Sequence, residues 1–209
     1  MDEYRLPMFP LGTPLVPGSL LPLQIFEPRY QQMMSDVLEQ VDPEFGVVLI
    51  ERGHEVGGGD IRSMAGTVAR IVETQTAPDG RRMVLALGIR RLRVHEWLPD
   101  QPYPVALVNN WPVELSPRDD SEVVNRLFEK VIEVSSLFEK LGGPPLRVAD
   151  IELSADASFA SFQLVALAPI GPADRQRLLV CEDPANRLEL LETALGDVEA
   201  ACRFRLQSE

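Results

Sequence analysis

An α+β fold, a small β-barrel followed by a helical bundle, is what the sequence predicts, and three observations predict it. Up to Pro112 the apolar runs are short, β-branched and divided by glycine and proline, which is a strand pattern. From Ser116 onward apolar residues recur at intervals of three and four, which is a helix pattern. The chain has 209 residues, and at that size it can bury about 70 % of the surface its unfolded form exposes. The change of pattern divides the expected domains: a barrel over 1–115, with about six or seven strands and one early helix, and a bundle of about four helices over 116–209.

Tyr4–Phe9 and Leu20–Phe26 are expected as strands, interrupted by Pro7 and Pro22. Proline cannot donate to a ladder, so these strands belong at an edge or where the chain crosses between pairings. Pro14, Pro17 and Gly18 make the connection between them. Pro28 suits the first position of a helix. That helix is expected to run to about Val41, with Tyr30, Met33, Met34, Val37, Leu38 and Val41 on one stripe. Phe45–Ile50 reads as a buried strand. Gly57-Gly58-Gly59 marks a loop. Met64–Thr76 and Arg82–Trp97 flank Pro78-Asp79-Gly80, a hairpin turn in which each residue has its own conformational reason. Tyr103–Trp111 supplies the last strand.

In the second half Ser116-Pro117 opens a helix, with Asp119 and Asp120 suited to its N-terminal dipole. Its face is Val124, Leu127, Val131, Val134, Phe138 and Leu141, and Gly142-Gly143-Pro144-Pro145 ends it. Ser154 is expected to cap a second helix reaching Ala168. Gly171-Pro172 opens a third and Asp183-Pro184 a fourth, the last with Leu188, Leu191, Leu195, Val198 and Cys202 at helical spacing.

Charge and cysteine usage narrow the function. Acids outnumber bases 32 to 20, the net charge is −12, and both halves share the excess. Nucleic-acid binders usually present a basic face, so the balance argues against such partners. No run is long and apolar enough for a membrane span, and the acidic start lacks the pattern of a signal peptide. Cys181 and Cys202, both in segments that read as helical, have no disulfide or metal spacing. The expectation is a soluble cytoplasmic protein with no cofactor and no metal.

No catalytic residue emerges. The chain's two lysines lie in the first helix of the second half, so no phosphate loop exists. His54 and His95 stand in a loop and a strand end, and no GxSxG occurs. Ser136 and Lys140 share a helix face, but nothing nearby would activate them. The candidates are therefore for binding. Glu27-Pro28-Arg29-Tyr30 forms a strand-to-helix junction in which Arg29 reaches a carboxylate and Tyr30 packs while keeping its hydroxyl wet. Arg81, Arg82, Arg90, Arg91 and Arg93, on one hairpin, form the candidate anion site, with Arg91 and Arg93 facing opposite to Arg90.

Leu6-Pro7-Met8-Phe9-Pro10-Leu11-Gly12, Pro17-Gly18, Leu21-Pro22-Leu23 and Ile25-Phe26-Glu27-Pro28-Arg29-Tyr30 resemble the opening of the Lon protease N-terminal domain family. Gly66-Thr67-Val68-Ala69-Arg70-Ile71 and Gly88-Ile89-Arg90-Arg91-Leu92-Arg93-Val94 are similar to its later strands. Arg175-Gln176-Arg177-Leu178-Leu179 and Asn186-Arg187-Leu188 resemble its helical part. The likeness covers about residues 4–206. It implies a PUA-like barrel and a non-enzymatic substrate-recognition module for unfolded or degron-bearing polypeptides, adaptor or chaperone-like. The ATPase and Ser–Lys peptidase of Lon have no counterpart in the sequence. Tyr30, Met33 and Met34 become the candidate polypeptide contacts, with protein or peptide clients and a protease or chaperone system as partners. The alternative that a PUA-like barrel brings is RNA binding through the five arginines, which the acidic balance opposes.

Overall fold

The computed structural model describes residues 3–53, 60–77, 81–112, 120–147 and 151–208. The chain forms two compact units, Met1–Pro112 and Val113–Glu209. The first holds β1 (Tyr4–Leu11), β2 (Leu20–Ile25), α1 (Pro28–Leu38), β3 (Glu44–Arg52), β4 (Ile61–Thr76), β5 (Arg82–Trp97) and β6 (Val105–Asn110). The second holds α2 (Ser121–Lys140), α3 (Ala157–Leu167), α4 (Pro172–Val180) and α5 (Pro184–Gln207).

The strands run in the order β2-β5-β4-β3-β1-β6, and a further β5–β6 pairing closes a circuit. β5 is long enough to do both jobs. Its first half, residues 82–87, pairs with β2, and residues 92–97 pair with β6. β1 changes partner in mid-strand: residues 4–7 pair with β6 and residues 8–11 run parallel to β3. Pro7 stands at that change, as a residue without a donor should. Pro22 lies in β2, which among the described residues pairs with β5 alone. The Gly88 N–H donates to the Ser19 carbonyl, so alternation along the ladder leaves Pro22 opposite Leu85 in a non-hydrogen-bonded pair. The missing N–H of Pro22 therefore faces the open edge.

Successive side chains point to opposite faces of a strand, and each face here has its own core. Leu6, Met8, Val48, Val68, Leu92, Val94, Ala106 and Val108 come from all five strands of the circuit and fill its interior. Their sequence neighbours Phe9, Val47 and Ala69 turn the other way, into a second core with Leu23, Ile25, Phe45 and α1. Gly66 is required where β4 meets β3, since a Cβ there would stand 2.1 Å from the Val47 carbonyl oxygen. The Thr67 hydroxyl donates to the Leu15 carbonyl at 2.6 Å and holds the β1–β2 connection on the sheet.

Several boundaries differ from the sequence expectation. α1 stops at Leu38, and Val41 is fully exposed instead of completing the apolar stripe. Pro43 is the reason: Asp42 before it is pushed out of the helical region, and the Gln40 N–H closes a tight turn on the Val37 carbonyl. The cap of α3 is Asp156, whose carboxylate accepts from the Phe159 N–H, while Ser154 accepts from the Asp156 N–H. Cys181 is not helical. It is the extended residue after α4, and its Sγ donates to the Asp183 carbonyl. The triglycine, the Pro78-Asp79-Gly80 turn, His54 and the Ser116–Asp119 start lie outside the described residues.

In the second unit α5 packs against α2, α3 and α4. Its Arg187 is completely buried and binds the C-terminal end of α4 and the middle of α3. The guanidinium donates to the Leu178 and Cys181 carbonyls and the Ser161 hydroxyl, and lies 3.7 Å over the Phe162 ring. On the outer side of α2 and α5, Arg126 pairs with Glu192, Lys130 with Glu199 and Glu133 with Arg203. Each such exposed pair adds little to stability.

Candidate functional site

Proline at the first helical position of α1 fixes the entry of the chain, so the residues on either side of Pro28 are held together. Arg29 Nε donates to Glu27 at 3.0 Å, and the Arg29 guanidinium lies 4.6 Å over the Tyr30 ring. Tyr30 stacks on Phe9 with centroids 4.2 Å apart, and Phe9 in turn leans on Phe45. Tyr30 itself is packed into the core. The residue is only 4 % exposed, and burial pushes its pKa up to about 12, with Arg29 opposing part of the shift.

Tyr30 forms one wall of a cavity of about 220 Å³ between β1, β2 and the start of α1. Phe9, Leu11, Leu23, Ile25 and Phe26 supply its apolar lining and Glu27 its polar rim. Phe26 is 58 % exposed while lining the cavity, so it stands at the mouth. Met33 and Met34 have no exposed surface and lie in the core cluster that also contains Tyr30. Of the three candidate polypeptide contacts, Tyr30 alone borders open space, and the methionines back it. Phe26 was not singled out from the sequence, although the strand period signals it: Leu23 and Ile25 face the core, so Gln24 and Phe26 face out.

A second set of charges surrounds Tyr30. Asp60 and Asp100 hold Arg62 from two sides, and Arg62 lies 4.8 Å over the Trp97 ring. Burial would raise the Asp60 pKa, but the hydrogen bonds from Arg62 outweigh it and hold the carboxyl below its ordinary range. Burial likewise opposes the charge on Arg62, and the two carboxylates more than reverse that.

The arginine hairpin does not assemble into one anion site. Arg90 donates to Glu44 at 2.6 Å and to Asn110 at 2.9 Å. Arg91 and Arg93 turn to the opposite face, as alternation requires, and lie 4.3 and 3.9 Å over the Trp111 ring. Arg91 is buried and Arg93 exposed. Arg82 borders a separate polar hollow with Gln31, Ser35 and Thr76, and Arg81 is exposed. The five cations are thus divided among different surroundings. Arg90 instead joins a network with a member on every strand of the circuit: Tyr4, Glu44, Arg70, Arg90 and Asn110.

Among the described residues no cluster of His, Cys, Asp and Glu could hold a metal ion. Ser136 and Lys140 are both exposed. His95 Nε2 donates to Asn109 Oδ1 at 2.5 Å. No described helix is long and apolar enough to cross a membrane.

Comparison with known proteins places this geometry. The family model of the ATP-dependent protease La (LON) substrate-binding domain matches residues 5–196. A Lon protease of Desulfovibrio desulfuricans is 32 % identical over 162 residues, covering 76 % of this chain and 18 % of that protein. A LON peptidase N-terminal domain and RING finger protein of Schizosaccharomyces pombe is 24 % identical, over 99 % of this chain and 48 % of its own length. The chain thus spans less than half the length of these relatives. Among solved structures, a Lon N-terminal domain protein from Xanthomonas campestris superimposes with a TM-score of 0.66 at 26 % identity, covering 91 % of this chain and 98 % of the other. The N-terminal domain of a Mycobacterium avium complex Lon protease shares the fold, with a TM-score of 0.67 at 14 % identity over 93 % of this chain and 99 % of that one. With the family matched over nearly its whole length, the chain belongs to the LON substrate-binding domain family.

Proposed function

We propose that this protein recognises substrates without catalysing a reaction on them. It holds exposed apolar segments of unfolded or degron-bearing polypeptides, as an adaptor or chaperone-like partner of a protease or chaperone system in the cytoplasm. The observation that supports this reading most directly is the cavity beside Tyr30 with the exposed Phe26 ring at its mouth. An aromatic that is already solvent-exposed loses little by waiting and gains contact area when a client side chain enters. Met33 and Met34 behind Tyr30 give that wall an adaptable backing, which suits clients of varied sequence.

The test is binding of a permanently unfolded polypeptide, reduced and carboxymethylated lactalbumin, followed by fluorescence anisotropy. The native protein binds it, and Phe26→Asp weakens binding about tenfold or more while leaving the melting temperature unchanged. Absence of binding at high micromolar concentration overturns the function, and equal binding by the variant overturns the surface.

A further inference from the structure

The helical unit contains a cavity of its own, of about 330 Å³, unrelated to the Tyr30 site. Phe138 of α2, the Pro144–Leu146 segment, Ala166, Ile170 and Arg175 form its walls. Among the described residues no acidic side chain lines it. Arg175 is the charged residue in that lining, and it differs from several other arginines of the chain. Arg62, Arg70, Arg90, Arg126 and Arg203 each meet a carboxylate. Arg175 donates through Nη2 to the Ala168 carbonyl at 3.1 Å, and its buried Nε has no partner among the described residues. Burial pushes its pKa below the ordinary arginine value, with no carboxylate to reverse the shift.

Arg175 is partly buried, and a cation drawn out of water without a counterion is costly, a cost that an anion accepting hydrogen bonds offsets. The rest of the cavity limits which anion. Its apolar walls reject a hydrated polyanion, and one guanidinium balances one charge in a planar two-oxygen geometry. The volume lies at the small end of the range for ligand sites, which is about 300–1,000 Å³. It accommodates a side chain or two and excludes a folded segment. We propose that this cavity receives the last residue of a polypeptide that ends in an apolar side chain, with the terminal carboxylate on Arg175. The inference rests on the polypeptide-binding reading and makes it specific: the Tyr30 cavity takes internal apolar segments and the helical unit takes chain ends.

The experiment uses a fluorescein-labelled pentapeptide ending in leucine, prepared as the free acid and as the C-terminal amide. The acid binds, and the amide binds about tenfold more weakly or worse. Arg175→Met, which keeps the length of the side chain and removes its charge, abolishes the difference. Methyl NMR shows the Ile170 signal moving with the acid in the native protein. Equal binding of acid and amide overturns the inference, while lactalbumin binding that persists leaves the polypeptide reading intact. Failure of both peptide and lactalbumin to bind overturns that reading and this inference together. Octanoate that binds where the peptide does not overturns the assignment to chain ends and identifies a free fatty acid as the occupant.

Discussion

Glu44 illustrates how one side chain ties a barrel together. It begins β3, accepts from Arg70 on β4 and from Arg90 on β5, and both contacts are as short as 2.6 Å. Burial by itself would raise its pKa, but the hydrogen bonds from Arg90 and Arg70 outweigh burial and lower it from 4.5. A carboxyl whose folded-state value is depressed contributes stability that is fully present above its unfolded value. That contribution fades as the pH falls below about 4.5 and is gone below the folded-state value. Glu44→Gln should therefore cost about 1.5–3 kcal/mol at pH 7, where hydrogen bonds to a charged group are lost. The gap between the two proteins should narrow on acidification, as followed by denaturant melts between pH 7 and 3. A gap that stays constant with pH would show that the charge of Glu44 is immaterial. Nothing in the sequence marks Glu44 as special. Its partners stand 26 and 46 residues away, and only the strand register brings them to it.

At the level of elements, the sequence was most legible where one residue type dictates geometry. Pro28, Pro172 and Pro184 each lie at the start of a helix, and the alternation of β5 separated Arg90 from Arg91 and Arg93 correctly. It was least legible at ends set by competition, as with Ser154 and Asp156, where two capping residues stand within three positions. The same holds for Val41, whose apolar character fits the helical period while Pro43 forbids it. β2 combines both lessons. It has an open edge, and Pro22 removes a donor from that edge, a common way to prevent strand addition. Pro22→Thr restores the donor at an exposed position and should leave the melting temperature nearly unchanged while promoting self-association at high concentration. Light scattering reads this directly, and a variant that remains as dispersed as the native protein would show that the edge is protected by other means.

For the molecule as a whole, the net charge of −12 bears on encounter more than on fold. Unfolded clients rich in lysine should be drawn in, and the attraction should fade as salt shortens the screening length from about 30 Å at 0.01 M to about 3 Å at 1 M. Stopped-flow association of a cationic unfolded polypeptide should slow by about tenfold or more over that range. An association rate indifferent to salt would remove electrostatic steering from the account. The acid excess was plain in the sequence, whereas the fate of the individual cations was not. Arg175 and Arg187 are both arginines on helices of the same unit. One closes the packing of three helices and the other borders a cavity, a distinction made by tertiary contacts alone.

The pairing of β1 with β6 sets an order of events in time. Tyr4 is matched with Val108 and Pro7 with Val105, so the first strand made must wait for the last before the circuit can close. Pairings this distant in sequence form slowly, because the intervening chain must be ordered first. While the ribosome is still delivering β6, the inward faces of Leu6 and Met8 have no complete interior to enter. A protein proposed to hold the exposed apolar segments of others thus passes, during its own synthesis, through a state that displays such segments itself.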